Sequence, residues 1–507
     1  MSQGIALVRH LHDCDGRLLA LAALVLAVAV PIAALPLPLA AAFVGAGGVA
    51  LAVLVRPHWA LYLLALSVPF ESLRQVDVGG ASVGSTEALV GLLGLSWGLR
   101  TAVFREREPV GGGLAPPIVL MVLAVAAGTL RATALAPALK ELVRWLEILI
   151  VYLAATDLLR APGRRALLLA LLLGAGVLEA FIGYAQFALR LGPPSFRTGG
   201  FLRAYGTFGQ PNPFAGYLGT VLPLGLALVV VGWFSRQARA GLAFRLALLA
   251  LALLLGALLA SMSRGGWLGF ALAVAVVASL YDRRAFVVAL VLGAAGAAVL
   301  VLGAFDLLPP QISGRLAQIV SYFGLFDARQ VAATAANWAV VERMAVWQAA
   351  WSMFESYPFL GVGPGNYPIA YYEHAFLGGG STGYPVLYPE FALPGWLESM
   401  GHAHNLYLNT LAENGAVGLA AFLVFWFAAI AAVWRAYRRL PPTATWWERA
   451  VPLGVLGVFA QVSLHNFFDN LMVHGLNVQL ALLLALATRS AGGGRKVVPI
   501  DGIKVGK

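Results

Sequence analysis

Two histidines, several asparagines and a glutamate crowd the stretch GHAHNLYLNTLAENGAVGL, residues 401–419, in a chain that is otherwise largely apolar. A histidine has a reference pKa of about 6.5 and can accept a proton near neutral pH, which makes His404 a candidate general base. Read as a helix, the stretch sets His402 and His404 two positions apart on nearly opposite faces, so one site would use only one of them. His404, Leu408, Leu411, Gly415 and Gly418 then share a face, with Asn405, Asn409 and Glu413 as a polar stripe beside it. The apolar run from about residue 413 would hold His404 roughly two turns above a lipid surface. An interfacial helix with ordinary polar capping fits the same pattern.

Other candidates are basic. Arg203 precedes Gln210-Pro211-Asn212-Pro213, a rigid turn whose prolines suit the start of a helix. Arg264 lies in SMSRGGW, a short turn between two apolar runs, where a charge is costly unless it snorkels or binds an anion. Arg343 lies in the long loop over 306–410, and SLHNFFDNLMVHG at 463–475 brings His465 and Asp469 to i, i+4 spacing, where they could pair. Asp13-Cys14-Asp15 has the spacing of a metal-holding DxD but falls in the N-terminal segment. GVGPGN at 361–366 lacks the Lys-Ser/Thr of a phosphate loop and reads as a turn. The acidic residues are scattered, so neither a catalytic metal nor a cofactor is expected.

The surrounding sequence must place these groups at a membrane. The chain has 507 residues, of which 60% are hydrophobic and only 11% charged, and its mean hydropathy is +0.82. Average globular chains carry about 25% charged residues, so this composition is that of a polytopic membrane protein. The lone cysteine, Cys14, excludes a disulfide within one chain. Apolar runs near 18–35, 38–55, 57–70, 86–104, 116–131, 141–158, 166–189, 213–234, 246–262, 265–281, 285–305, 413–434, 450–465 and 471–488 predict an all-α fold of about 12–14 transmembrane helices. With the N-terminus in the cytoplasm, 23 of the 34 Lys and Arg fall inside, as the positive-inside rule requires. The net charge of +11 is then an orientation signal and not a nucleic-acid footprint. Arg203, Arg264, Arg343, Lys140 and Arg144 are among those left outside.

This divides the chain into a helix bundle over 1–305, an extracytoplasmic, mostly helical loop over 306–410, further spans over 411–489 and a cytoplasmic tail over 490–507. A multi-pass protein of the inner (cytoplasmic) membrane with its site on the extracytoplasmic side is expected. A lipid-linked sugar flippase would also need many spans. It would favour broken or charged helices at mid-membrane, where only Glu147 and Glu179 stand out.

RAYGTFGQPNPFAGYLGTVLPL, SMSRGGWLG, RMAVWQAAWSMFESYPFLGVGPGNY, HAHNLYLNTLAENGAVGL and SLHNFFDNL, in this order, resemble the O-antigen ligase and polymerase superfamily. These are membrane glycosyltransferases that use polyprenyl-diphosphate-linked glycans. The most specific element is His404-Asn405 followed by Gly415-x-x-Gly418. The resemblance implies that arginines, here Arg203 and Arg264, bind the donor diphosphate. It also implies that Arg343 positions the donor, that His404 is the base, and that Asn405, Gln210, Asn212, His465 and Asp469 support them. Transfer would be inverting and metal-independent, to a hydroxyl of a glycan, a lipid such as lipid A–core, or a protein. Ligase, polymerase and protein O-glycosyltransferase all remain open on this reading.

Overall fold

A computed structural model describes residues 36–73, 76–78, 81–103, 113–198, 200–304, 338–374 and 401–490. The first predicted span, the Asp13-Cys14-Asp15 motif, the tail after 490 and much of the 306–410 loop lie outside the described residues. The chain is an all-α polytopic membrane protein. In chain order the helices are α1 Leu37–Val55, α2 His58–Ser67, α3 Ser85–Val103, α4 Ala115–Thr129, α5 Leu135–Leu158, α6 Pro162–Leu189, α7 Pro211–Phe234 and α8 Leu242–Ala260. They continue with α9 Arg264–Tyr281, α10 Arg283–Ala304, α11 Trp338–Ser356, α12 Tyr367–His374, α13 Leu406–Arg438, α14 Trp446–His465 and α15 Leu476–Ser490. A helix stands at every predicted span within the described residues. Six of them, α1, α6, α7, α8, α9 and α13, are long and apolar enough to cross a membrane. The span predicted over 57–70 is a short helix, α2, continued by a 3-10 turn over Val68–Leu73.

Among these six the most buried is α7, which packs against α8, α9 and α14. Lipid offers no hydrophobic drive between helices, so close backbone approach must come from small residues. A Cβ on Gly269 of α9 would sit 2.7 Å from the Gln461 carbonyl oxygen of α14, and one on Gly454 of α14 2.9 Å from Leu224 Cα of α7. Several buried polar groups in the bundle find partners, which hydrocarbon favours. Gln479 donates to Thr220 at 2.6 Å, and Asn477 donates to Glu147 at 3.1 Å. Glu179 accepts from the backbone N–H and the hydroxyl of Thr207.

The two ends of α14 differ in character. At its start, Glu448 pairs with Arg165 at 3.0 Å, and Arg165 also donates to the Arg489 carbonyl. Both arginines are among the 23 basic residues that the positive-inside reading sorts to the cytoplasmic side. At its end, His465 meets the groups sorted outside.

The predicted span 413–434 begins earlier, at Leu406, and is not one continuous helix. Gly415 (φ 62°, ψ −166°) breaks α13. The break leaves backbone groups without helical partners, and the 357–366 turn supplies them. Val362 and Gly363 N–H donate to the Ala412 and Glu413 carbonyls at 2.9 and 3.0 Å, and Ala416 and Val417 N–H donate to Pro358 and Phe359. The GVGPGN segment is thus a turn, as the missing Lys-Ser/Thr suggested, and its function is to wedge into α13. Asn366 fixes the far side of the wedge: its amide oxygen accepts from Ala134 N–H at 2.8 Å and its NH₂ donates to the Ala134 carbonyl at 3.0 Å. Above the wedge, Val346, Ala350 and Met353 of α11 and Tyr367 of α12 form a second small core with Ala403 and Ala412.

Candidate active site

The loop before α13 does not take the helical phase expected of it. Asn405 is the N-cap: its side-chain oxygen accepts from Tyr407 and Leu408 N–H, each at 3.0 Å. Asn409 Oδ1 accepts from Ala403 N–H at 3.0 Å and curls the loop back over the first turn. His402 and His404 therefore precede the helix. They do not diverge; their rings meet edge to face with centroids 4.5 Å apart. His404 has a positive φ of 47°, a conformation that non-glycine residues seldom adopt and that recurs at functional sites.

Both rings turn toward Asp469, in the turn between α14 and α15. His404 Nδ1 lies 3.3 Å from Asp469 Oδ1, and His402 Nε2 lies 4.0 Å from the same oxygen. Leu406 N–H donates to the Asn466 and Asp469 carbonyls, which ties the loop to that turn. With Nδ1 engaged by a carboxylate, the geometry assigns the His404 proton to Nδ1 and leaves Nε2 as the basic nitrogen. His402 Nδ1 accepts from His404 N–H at 3.1 Å, and burial lowers the His402 pKa to about 4, so that ring is neutral. Burial by itself would raise the Asp469 carboxyl. The hydrogen bond from His404 and the surrounding histidines outweigh that and hold it well below the usual carboxylate range.

The predicted His465–Asp469 pair does not form. Helix α14 ends at His465 and the chain turns at Asn466, so the i+4 position leaves the helix. His465 Nε2 instead faces Ser263 Oγ at 3.4 Å, and its Nδ1 has no hydrogen-bond partner among the described residues. His465 thus meets the start of α9 through Ser263. Arg343 lies on α11.

Arg264 opens α9, buried, one residue after the Ser263 cap. Arg203 reaches the same corner: its Nε donates to the Ser261 carbonyl at 3.0 Å and its Nη2 to Asn212 Oδ1 at 3.1 Å. Gln210 occupies the N-cap position of α7, with Pro211 in the first turn. The basic residues of the two turns, Arg203 and Arg264, are thereby gathered where α7, α8 and α9 meet.

Two chambers that share lining residues adjoin the histidines. One, of about 310 Å³, is lined by His404, Gln210, Glu71 and His474. The other, of about 260 Å³, is lined by Trp145, Asn409, Thr410, Asn470 and Asn477. His402, Lys140 and Arg144 border both. His402, Glu71, Lys140 and Arg144 line these chambers without being among the site residues expected from sequence. The signal is present for the last two, since the charge pattern sorts them outside together with Arg203 and Arg264. His402, His404 and Asp469 also bring one ligand atom each within 4.8 Å of one another, a spacing that a metal ion could bridge.

Residues 249–423 match the family model described as O-antigen ligase. Over that segment the chain is similar to the O-antigen ligase family, which supports the resemblance carried by its motifs. No curated protein matches it. The O-antigen ligase segment runs from within α8 to within α13 and takes in Arg264, Arg343, His404, Asn405 and the break at Gly415. Arg203, Gln210, Asn212, His465 and Asp469 lie outside the segment in sequence and adjoin it in space.

Proposed function

We propose that the protein transfers a glycan from a polyprenyl-diphosphate carrier to an acceptor hydroxyl on the extracytoplasmic face of the membrane. The observation that carries this reading is His404, within the O-antigen ligase segment, held by Asp469 at the wall of a cavity. The acceptor oxygen attacks the anomeric carbon as its proton passes to His404 Nε2. The new C–O bond forms while the bond to the diphosphate breaks, and the electron pair leaves with the diphosphate. A base in this position is worth about 10²–10⁴-fold. Asp469 keeps the imidazole in the reactive tautomer and stabilises the imidazolium that forms. Arg203 and Arg264 would stabilise the leaving diphosphate through guanidinium forks, which suit phosphate oxygens. Arg343 would position the donor.

One displacement inverts the anomeric centre, and diphosphate departure assisted by arginine needs no metal. The two internal carboxylates that a transport reading would require, Glu147 and Glu179, are engaged in fixed hydrogen bonds. Purified protein supplied with a lipid-diphosphate glycan and an acceptor should release polyprenyl diphosphate, give an inverted linkage, and keep its rate in EDTA. A retained anomer would refute the single displacement. Strong inhibition by EDTA would make the His402–His404–Asp469 trio a metal site and not a base with its support.

A further inference from the structure

The chamber that holds His404 contains two cations outside the set assigned to the diphosphate. Lys140 and Arg144 stand four residues apart near the start of α5 and so face the same way. Both are half-buried, and both line the two chambers beside His402. Arg144 is ion-paired with Glu141, which lines only the second chamber. Among the described residues that line the His404 chamber, the one carboxyl is Glu71. Burial, reinforced by the nearby Glu87 and Glu147, pushes its pKa up to about 8. At neutral pH it is protonated and can donate a hydrogen bond. The walls around His404 therefore present two positive charges and a neutral acid, an environment that suits an incoming oxyanion. Arg203 and Arg264 line neither chamber, so this locus is separate from theirs.

We propose that Lys140 and Arg144 form an oxyanion-binding site beside His404 that takes a phosphate group of a substrate. The inference rests on the glycan-transfer reading. The phosphate could belong to the lipid donor or to a phosphorylated acceptor sugar, and binding to separate probes distinguishes them. Full-length protein in nanodiscs would be titrated with polyprenyl diphosphate against polyprenol, and with hexose 6-phosphate against hexose. Wild type should prefer at least one phosphorylated probe. Lys140→Gln, and Arg144→Gln made together with Glu141→Gln so that no carboxylate is stranded, should weaken that binding about tenfold, and Lys140→Arg should restore it. A loss confined to the lipid pair assigns the site to the donor, and a loss confined to the sugar pair assigns it to the acceptor. A preference retained in both variants overturns the site and leaves the proposed function standing. A wild-type protein that ignores phosphate on both probes overturns the lipid-diphosphate reading and this site with it.

Discussion

Replacing His404 with alanine is expected to slow glycan transfer by about 10²–10⁴-fold while donor affinity stays near the wild-type value. The split follows from position. His404 Nδ1 is occupied by Asp469, so only Nε2 remains to take the acceptor proton, and that proton moves only in the transition state. The arginines proposed to hold the donor sit at the α7–α8–α9 corner and do not depend on the imidazole. A mutation that removes a transition-state contact lowers kcat and kcat/KM together and leaves binding alone. Single-turnover rates and donor dissociation constants measured on the same nanodisc preparation separate the two. Wild-type turnover in His404→Ala would remove His404 as the base.

Gly415→Ala is expected to be the most damaging change among the glycines of the matched segment, costing on the order of 3 kcal/mol or more. The backbone at Gly415 (φ 62°, ψ −166°) occupies a region essentially restricted to glycine. An added Cβ would also overlap the Phe359 carbonyl and lie 2.6 Å from Leu360 N. Relief would require the 357–366 wedge to withdraw, which would break the hydrogen bonds from Val362, Gly363, Ala416 and Val417 together. Thermal unfolding of the purified variant should show a large drop in melting temperature, with activity lost in parallel. A variant as stable as wild type would mean that α13 runs through position 415 unbroken.

The bundle was legible because a span needs about 20 apolar residues and little else. Runs of that kind marked α1 and α6 to α9 to within a few residues. The approach of α13 was harder to read. Asn405, Asn409 and Glu413 fit a helical stripe, yet Asn405 is a favoured cap residue and caps the helix. That one exchange, cap for stripe, moved both histidines off the helix and onto Asp469. The break at Gly415 had no local signature, because the segment that requires it lies some fifty residues earlier in the chain. His465 and Asp469 had the right spacing to pair, but α14 stops between them, and helix ends are poorly fixed by pattern. Lys140 and Arg144 were counted as exceptions to the positive-inside rule. Read by the argument applied to Arg264, they would have joined the candidates.

The most direct test of the account is the carrier-lipid glycan pool of cells lacking the protein, complemented with wild type or with His404→Ala. If His404 drives transfer from the lipid carrier, wild type restores the normal pool and His404→Ala leaves glycan accumulated on polyprenyl diphosphate. Long chains would indicate a ligase and single repeat units a polymerase. A pool unchanged by the deletion, or cleared equally well by His404→Ala, would contradict the account.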